Sequence, residues 1–306
     1  IDELTIRTIT DGNTLANALL SGEVQAAYGM AYESYPTFEN DNFQFSQIST
    51  SRCFFGKMNF DESSVCADPA VRKAIAMGID KENFVATLLE GNGYVANGVF
   101  PEGSAFGGDK VTTETYDPEG AKEVLEAAGW KDTDGDGIRE KDGVKLSATF
   151  LYQTGTASDD NMVVYICDQA SKIGIELTPQ SAQMMDWYGM IQSGDYGLTI
   201  FKTQGGYYDP AMVITNINPS TSMDPILMQI GASQPELAAL VDELDSATDE
   251  GRIQEIYNTI LTTMADQCLT TPLIYTRQLA IYSNAVASYT FPTDASFTSV
   301  QNIHLN

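Results

Sequence analysis

Leu198-Thr-Ile-Phe-Lys-Thr-Gln-Gly-Gly-Tyr-Tyr-Asp-Pro210 passes from an apolar run through two glycines into two tyrosines and an Asp-Pro. Residues 198–201 favour β-structure and follow Gly197, while Gly205 and Gly206 permit backbone geometries that side chains resist, so the stretch predicts a buried strand leading into a loop. In open α/β sheets ligands bind where strands end, and a tyrosine has the apolar body and polar tip suited to such a place. A surface turn with one tyrosine tucked into the core is the competing reading of the same residues.

Outward from this stretch the chain alternates strand and helix. Upstream, a strand reaches Tyr152, a helix carrying Cys167 runs to Ile173 with Gly174 as its stop, residues 175–177 form a strand and 184–191 a short helix. Downstream, 235–247 and 249–267 are amphipathic helices, the second turning Ile253, Ile256, Tyr257, Ile260, Leu261 and Met264 inward. Residues 273–275 and 279–282 are final strands. The alternation predicts an α/β fold class. Near the start, 4–9 has period two and predicts a strand, Asp11-Gly12 a turn, and Leu15, Ala18 and Leu19 a helix; 24–30 and 43–48 follow as strands, and 54–60 is an apolar run leading to Asp68-Pro69. Asp68-Pro69 and Asp117-Pro118 pair a helix cap with a first-turn proline, Asp80 restarts a helix, and 91–108, rich in glycine, reads as an irregular loop. Trp187 suits either a cleft wall or the core.

Composition narrows the partners. Lys+Arg 16 against Asp+Glu 42 gives a net charge of −26, which disfavours nucleic acid and anionic membranes. No run approaches the ~18 apolar residues of a membrane span. Ile1-Asp2-Glu3-Leu4 lacks a basic start, an apolar middle and an initiator Met, so the start reads as a cut inside a longer protein. Cys53, Cys66, Cys167 and Cys268 are too widely spaced for C-x-x-C chemistry; free thiols are the expectation, with a Cys53–Cys66 bridge as the alternative.

One motif points to a metal. Asp132-Thr-Asp-Gly-Asp-Gly137 places carboxylates at alternate positions around a glycine bend, with Ile138 set to offer a carbonyl, as in the first half of a calcium loop. The twelfth position is Gly143 instead of a bidentate glutamate, so a hairpin turn is the alternative; Asp132, Asp134, Asp136 and Ile138 are the candidate calcium ligands. Catalytic motifs are lacking. His304 is the only histidine, three residues from the end, and no G-x-S-x-G, H-E-x-x-H, phosphate-loop or dinucleotide pattern occurs. A carboxylate-dependent, glycosidase-like hydrolase is the enzyme class left open.

Five stretches together resemble the extracytoplasmic solute-binding proteins of the nickel, dipeptide and oligopeptide ABC-importer family (family 5). They are Thr14-Leu-Ala-Asn-Ala-Leu-Leu-Ser-Gly-Glu-Val24, Asp68-Pro-Ala-Val-Arg-Lys-Ala-Ile-Ala-Met-Gly-Ile-Asp80, Ala128-Gly-Trp-Lys-Asp-Thr-Asp-Gly-Asp-Gly-Ile138, Thr203-Gln-Gly-Gly-Tyr-Tyr-Asp-Pro210 and Pro272-Leu-Ile-Tyr275. The resemblance implies a periplasmic-binding-protein-like α/β fold (type II, large cluster). Residues 56–272 would be the second lobe, and 1–55 with 273–306 a partial first lobe, with crossovers near 54–59 and 272–277. It implies the substrate-binding component of an ABC importer, extracytoplasmic, lipid-anchored or periplasmic in the full-length protein, monomeric and without enzymatic activity, cofactor or nucleic-acid partner. Such a protein captures a small peptide or a nickel or other metal chelate between its lobes and delivers it to the membrane permease. Gln204, Tyr207, Tyr208 and Ser222 are the implied ligand contacts, with Asp209 orienting the loop. Three departures stand out: Gly206 where the peptide branch holds an ammonium-binding aspartate, Gln204 for a stacking tryptophan of the nickel branch, and Ser222 for a histidine ligand. A folded lobe with no measurable affinity is a further alternative.

Overall fold

The structure, a computed structural model, describes residues 3–30, 32–101, 103–106, 111–154, 157–203, 210–292 and 299–306. Its centre is two long antiparallel strands, β2 (Phe43–Met58) and β9 (Thr270–Ser283). The sequence reading placed a strand only at 43–48 in the first and two short strands, 273–275 and 279–282, in the second. They are continuous because an antiparallel neighbour carries the ladder through the polar middle, where no hydrophobic alternation marks a strand. Beside β2 lie β8 (Leu198–Lys202), β6 (Ser147–Gln153) and β7 (Glu176–Ala182), while β9 also pairs with β1 (Ala26–Tyr28) and β3 (Gly93–Val95). β3 lies within the segment expected to be irregular.

Period two divides the side chains of this sheet between two cores. Phe54 and Met58 of β2, Phe150 of β6, Leu198 and Ile200 of β8 and Ile274 of β9 face one side. There they meet α2 (Pro69–Gly78), α3 (Lys81–Thr87), α4 (Pro118–Ala127) and α5 (Ala157–Ser171). Cys53, Phe55, Leu151, Phe201 and Tyr275 face the other side. They pack on α6 (Met184–Ser193), α7 (Ala211–Ile214), α8 (Met228–Ser233), α9 (Pro235–Leu244) and α10 (Glu250–Asp266). The expected inward face of α10 is buried at Ile256, Tyr257, Ile260, Leu261 and Met264, with Ile253 half-buried at its margin. Each fully buried side chain of this kind is worth about 1.5–3 kcal/mol. Cys53 and Cys66 belong to opposite cores and all four cysteines are free thiols, so the alternative bridge does not form.

The Asp-Pro devices act as read. Asp68 accepts from Ala70 N at 2.9 Å and Asp117 from Gly120 N at 2.9 Å, each capping a helix whose first residue is proline. Asp68 also receives Trp130 Nε1 at 3.0 Å and Lys141 Nζ at 3.2 Å. Burial pushes its carboxyl up, but these donors outweigh burial and hold it below the ordinary carboxylate value. Asp11 is likewise a cap, of α1 (Gly12–Leu20), where a turn was expected.

The far halves of β2 and β9 carry two smaller cores. Leu279 and Ile281 meet Leu19, Ala27 and Phe38 on one face. Ala280 and Tyr282 meet Val286 and Tyr289 of β10 (Val286–Tyr289), which pairs with β11 (Ile303–Leu305). That last hairpin was not foreseen. The strand expected at 4–9 is absent: Leu4 is 45% and Ile6 76% exposed, and no ladder partner lies beside them among the described residues. Alternation alone makes no strand without a neighbour to take its hydrogen bonds.

Candidate functional site

β6, β7 and β8 are parallel, so their carboxyl ends, Gln153, Ala182 and Lys202, gather at one edge of the sheet. The connection after β6 leaves toward the first core as α5, whose Met162, Val163 and Ile166 are buried there. The connection after the adjacent β8 leaves toward the opposite core, where Val213 and Ile214 of α7 are buried. Adjacent parallel strands whose connections depart to opposite faces leave a crevice outside their ends, the usual ligand position in open α/β sheets.

The residues around this crevice are mostly polar. Thr203 is latched to β2, its N donating to Cys53 O at 2.9 Å and its Oγ1 accepting from Cys53 N at 2.9 Å. Lys202 Nζ lies 4.6 Å above the Phe54 ring and 2.7 Å from Asp159 Oδ2 in the first turn of α5. This pair, with Asp159 buried and Lys202 half-buried, bridges the two diverging connections. At the start of α6 Met184 and Met185 are 54% and 77% exposed, whereas Trp187 is buried and donates from Nε1 to Thr199 Oγ1 at 3.1 Å. Trp187 is therefore a core residue. Lys202 stood in the opening stretch without being recognised, since its role depends on Asp159, 43 positions away.

Of the expected ligand contacts, Gln204, Tyr207 and Tyr208 lie outside the described residues, as does Asp209. The structure places their flanks, Thr203 at the crevice and Pro210 at the start of α7. Ser222 is half-buried in the turn after α7, with Oγ 3.0 Å from Asn216 Oδ1 and accepting from Asp224 N at 2.9 Å.

The acidic loop sits elsewhere, beside the hairpin of β4 (Glu140–Lys141) and β5 (Val144–Lys145), whose turn has Asp142 at φ 53° and Gly143 at φ 81°. This hairpin leads into the amino end of β6, the edge opposite the crevice. Asp132, Asp134 and Asp136 come together as expected, with one carboxylate oxygen of each within 4.8 Å of the others. These carboxylates also serve the backbone: Asp132 accepts from Gly135 N at 2.7 Å and Gly137 N at 3.0 Å, and Asp136 from Ile138 N at 2.9 Å. Lys145 pairs with Asp136 and lies 3.8 Å from Asp134. A hydrogen bond from Lys145 holds the Asp136 carboxyl below its ordinary value.

A family model described as "Bacterial extracellular solute-binding proteins, family 5 Middle" matches residues 1–225. The chain is similar to the nickel-binding periplasmic protein of Escherichia coli (strain K12), 24% identical over 286 residues that cover 92% of this chain and 54% of that protein. It is also similar to the oligopeptide-binding protein AppA of Bacillus subtilis (strain 168), 30% identical over 198 residues, 63% of this chain and 35% of that one. Among solved structures, NikA from Brucella suis in complex with Fe(III)-EDTA has the same fold, with a TM-score of 0.90 at 23% identity over 97% of this chain and 61% of that one. The matched portions thus amount to 54% and 35% of the two curated relatives' lengths.

Proposed function

From the premise that this chain belongs to the bacterial extracellular solute-binding proteins of family 5, we propose that it forms part of the substrate-binding component of an ABC importer. It captures a small peptide or a metal chelate at the crevice beyond β6 and β8 and passes it to a membrane permease. The observation that carries this reading is the divergence of α5 and α7 to opposite faces, which opens the sheet edge where residues 203–210 begin and end. Similarity to a nickel-binding and an oligopeptide-binding protein supports both ligand classes. Members of this family are substrate-binding transport proteins and not enzymes, so the hydrolase alternative is not favoured. Capture outside the cytoplasm follows from the same reading, and no described helix is long and apolar enough to cross a membrane.

In this proposal residues 56–272 form the ligand-bearing lobe, and 1–55 with 273–306 belong to the other. β2 and β9 are the two crossovers. Where they pass between the large and small cores, residues 50–52 bulge opposite Thr276 alone, and Thr50 Oγ1 lies 3.0 Å from Thr276 O and 2.8 Å from Thr276 Oγ1. A bulge bends and loosens a ladder locally, as a hinge requires. Gln204, Tyr207, Tyr208 and Ser222 contact the ligand. Calorimetry on the complete protein that carries this sequence, with peptide mixtures and with nickel(II) plus L-histidine, is expected to detect binding that Tyr208→Ala weakens at least tenfold. Turnover of a chromogenic glycoside, lost on a single Asp or Glu substitution, would overturn the reading, as would affinity unaffected by Tyr208→Ala.

A secondary proposal concerns the loop at 132–138. Its three carboxylates have the chemistry to hold calcium if Lys145 withdraws. Calcium is then expected to raise the melting temperature, reversibly with chelator, and to do so more strongly in Lys145→Gln, which removes the competing charge. Melting temperatures indifferent to calcium in both proteins would remove the site.

A further inference from the structure

A third strand grips the bulge through which the two crossovers pass. β3 runs beside β9 on the side away from β2, with Gly93 opposite Thr276 and Tyr94 opposite Tyr275. Thr276 therefore has β3 on one side and the bulge at 50–52 on the other. By its packing β3 belongs to the ligand-bearing lobe. Ala96, Val99 and Phe100, just beyond it, are buried in the core that holds α10, and Lys81 of α3 donates to Ala96 O at 3.1 Å and Pro272 O at 3.2 Å.

From this anchored position residues 91–95 hold both crossovers. The Tyr94 hydroxyl reaches across β9 and donates to Thr50 O at 2.8 Å, in the bulge of β2. Arg277 of β9 donates from Nη1 to Gly91 O at 3.1 Å, and its guanidinium carbon lies 6.0 Å from the Tyr94 ring centroid. The Tyr94 and Tyr275 rings stand 5.1 Å apart, and Tyr275 Oη is itself fixed 2.6 Å from both Gly98 O and Phe100 O. Thr50 and Arg277 fall in one lobe of the division above, Gly91 and Tyr94 in the other. These two hydrogen bonds thus cross the boundary about which the lobes would turn. A bulge interrupts its own ladder, so a bond made to its carbonyl from outside constrains the bend where the strand is least able to do so.

Resting on the receptor reading above, we infer that Tyr94 is a positioning residue that splints the hinge and holds the two lobes near one relative orientation. Its effect reaches the solute only through the bulge. Orientational freedom already removed from the free protein need not be lost on closure, so the splint tightens the binding of every solute by one common factor. A residue that touched the solute would instead favour some chemistries over others.

The test reads orientation and affinity separately in the complete protein that carries this sequence. Spin labels are placed at Val144→Cys, before β6, and Leu305→Cys, on β11, both more than half exposed and one in each lobe. The background is Cys167→Ser, since the other three thiols are buried. Tyr94→Phe is expected to broaden the distribution of label distances by a third or more. Calorimetry without labels, using a tripeptide mixture and nickel(II) with L-histidine, is expected to show every probe that wild type binds weakened by the same factor, about threefold to tenfold. Gly93→Ala is the second variant: its added methyl would lie 3.2 Å from Tyr275 O and 2.9 Å from Leu89 Cδ1, wedging β3 away from β9, and the same broadening is expected. An unchanged distribution in both variants overturns the splint and leaves the receptor reading intact. Unaltered or tighter binding by Tyr94→Phe, or losses that differ between probes, also overturns it. Absence of wild-type binding to every probe overturns the receptor reading, while the label distances still decide whether β3 holds the hinge.

Discussion

Phe55→Ala lowers the unfolding free energy by about 3–5 kcal/mol, the cost of losing a fully buried aromatic together with the cavity left behind. Phe55 is 0% exposed on β2 and meets Phe201 of β8 edge-to-face, with centroids 5.4 Å apart. It stands in the strand that every other part of the sheet is built around, so relaxation cannot fill the space without moving the ladders to β8 and β9. Phe45→Ala on the same strand is the control. Phe45 is 39% exposed, so its loss costs only about 1–2 kcal/mol. Urea unfolding of both variants checks the pair, and equal effects would contradict the placement of the core.

The second large effect depends on pH. Lys57 is fully buried, its Nζ donating to Met58 O and lying 3.3 Å from Gln229 Oε1 and 3.8 Å from the Phe60 ring centroid. Burial, reinforced by the charge of Arg72, holds its pKa well below the ordinary 10.5. Between that lowered value and 10.5 the folded chain binds fewer protons at this site than the unfolded chain, so this residue's contribution to stability rises with pH across the window. Lys57→Met abolishes the dependence. The stability of wild type minus that of Lys57→Met is expected to climb through the alkaline range by up to about 1.4 kcal/mol per pH unit, levelling above the unfolded pKa. Titrating groups that do not interact with Lys57 cancel in the difference. A flat difference would mean that Lys57 is neither desolvated nor perturbed.

Much of this was legible in local sequence. Asp68-Pro69, Asp80 and Asp117-Pro118 predicted helix starts because a cap needs only the chain within three residues of it. Leu198–Lys202 appeared as a strand through its apolar run, and α10 through its spacing. The alternating carboxylates of 132–136 were seen to converge because that loop is also local. What local pattern mistook were features that need a distant partner. Residues 4–9 carry the alternation of a strand without a neighbour, whereas Ser49 and Cys53 belong to one strand, across the bulge at 50–52, because β9 pairs with both.

The same division holds for the site. By itself the sequence at 198–210 determined the strand Leu198–Lys202, and five stretches taken together carried the resemblance to the solute-binding proteins that the family match bears out. Which side chains meet at that edge was decided only by the tertiary structure. Asp159 and Lys202 are 43 positions apart in sequence, and they pair only after β8 and α5 have packed. Electrostatic partnership depends on distance through space, and an ion pair between side chains that far apart in sequence is a property of the assembled fold.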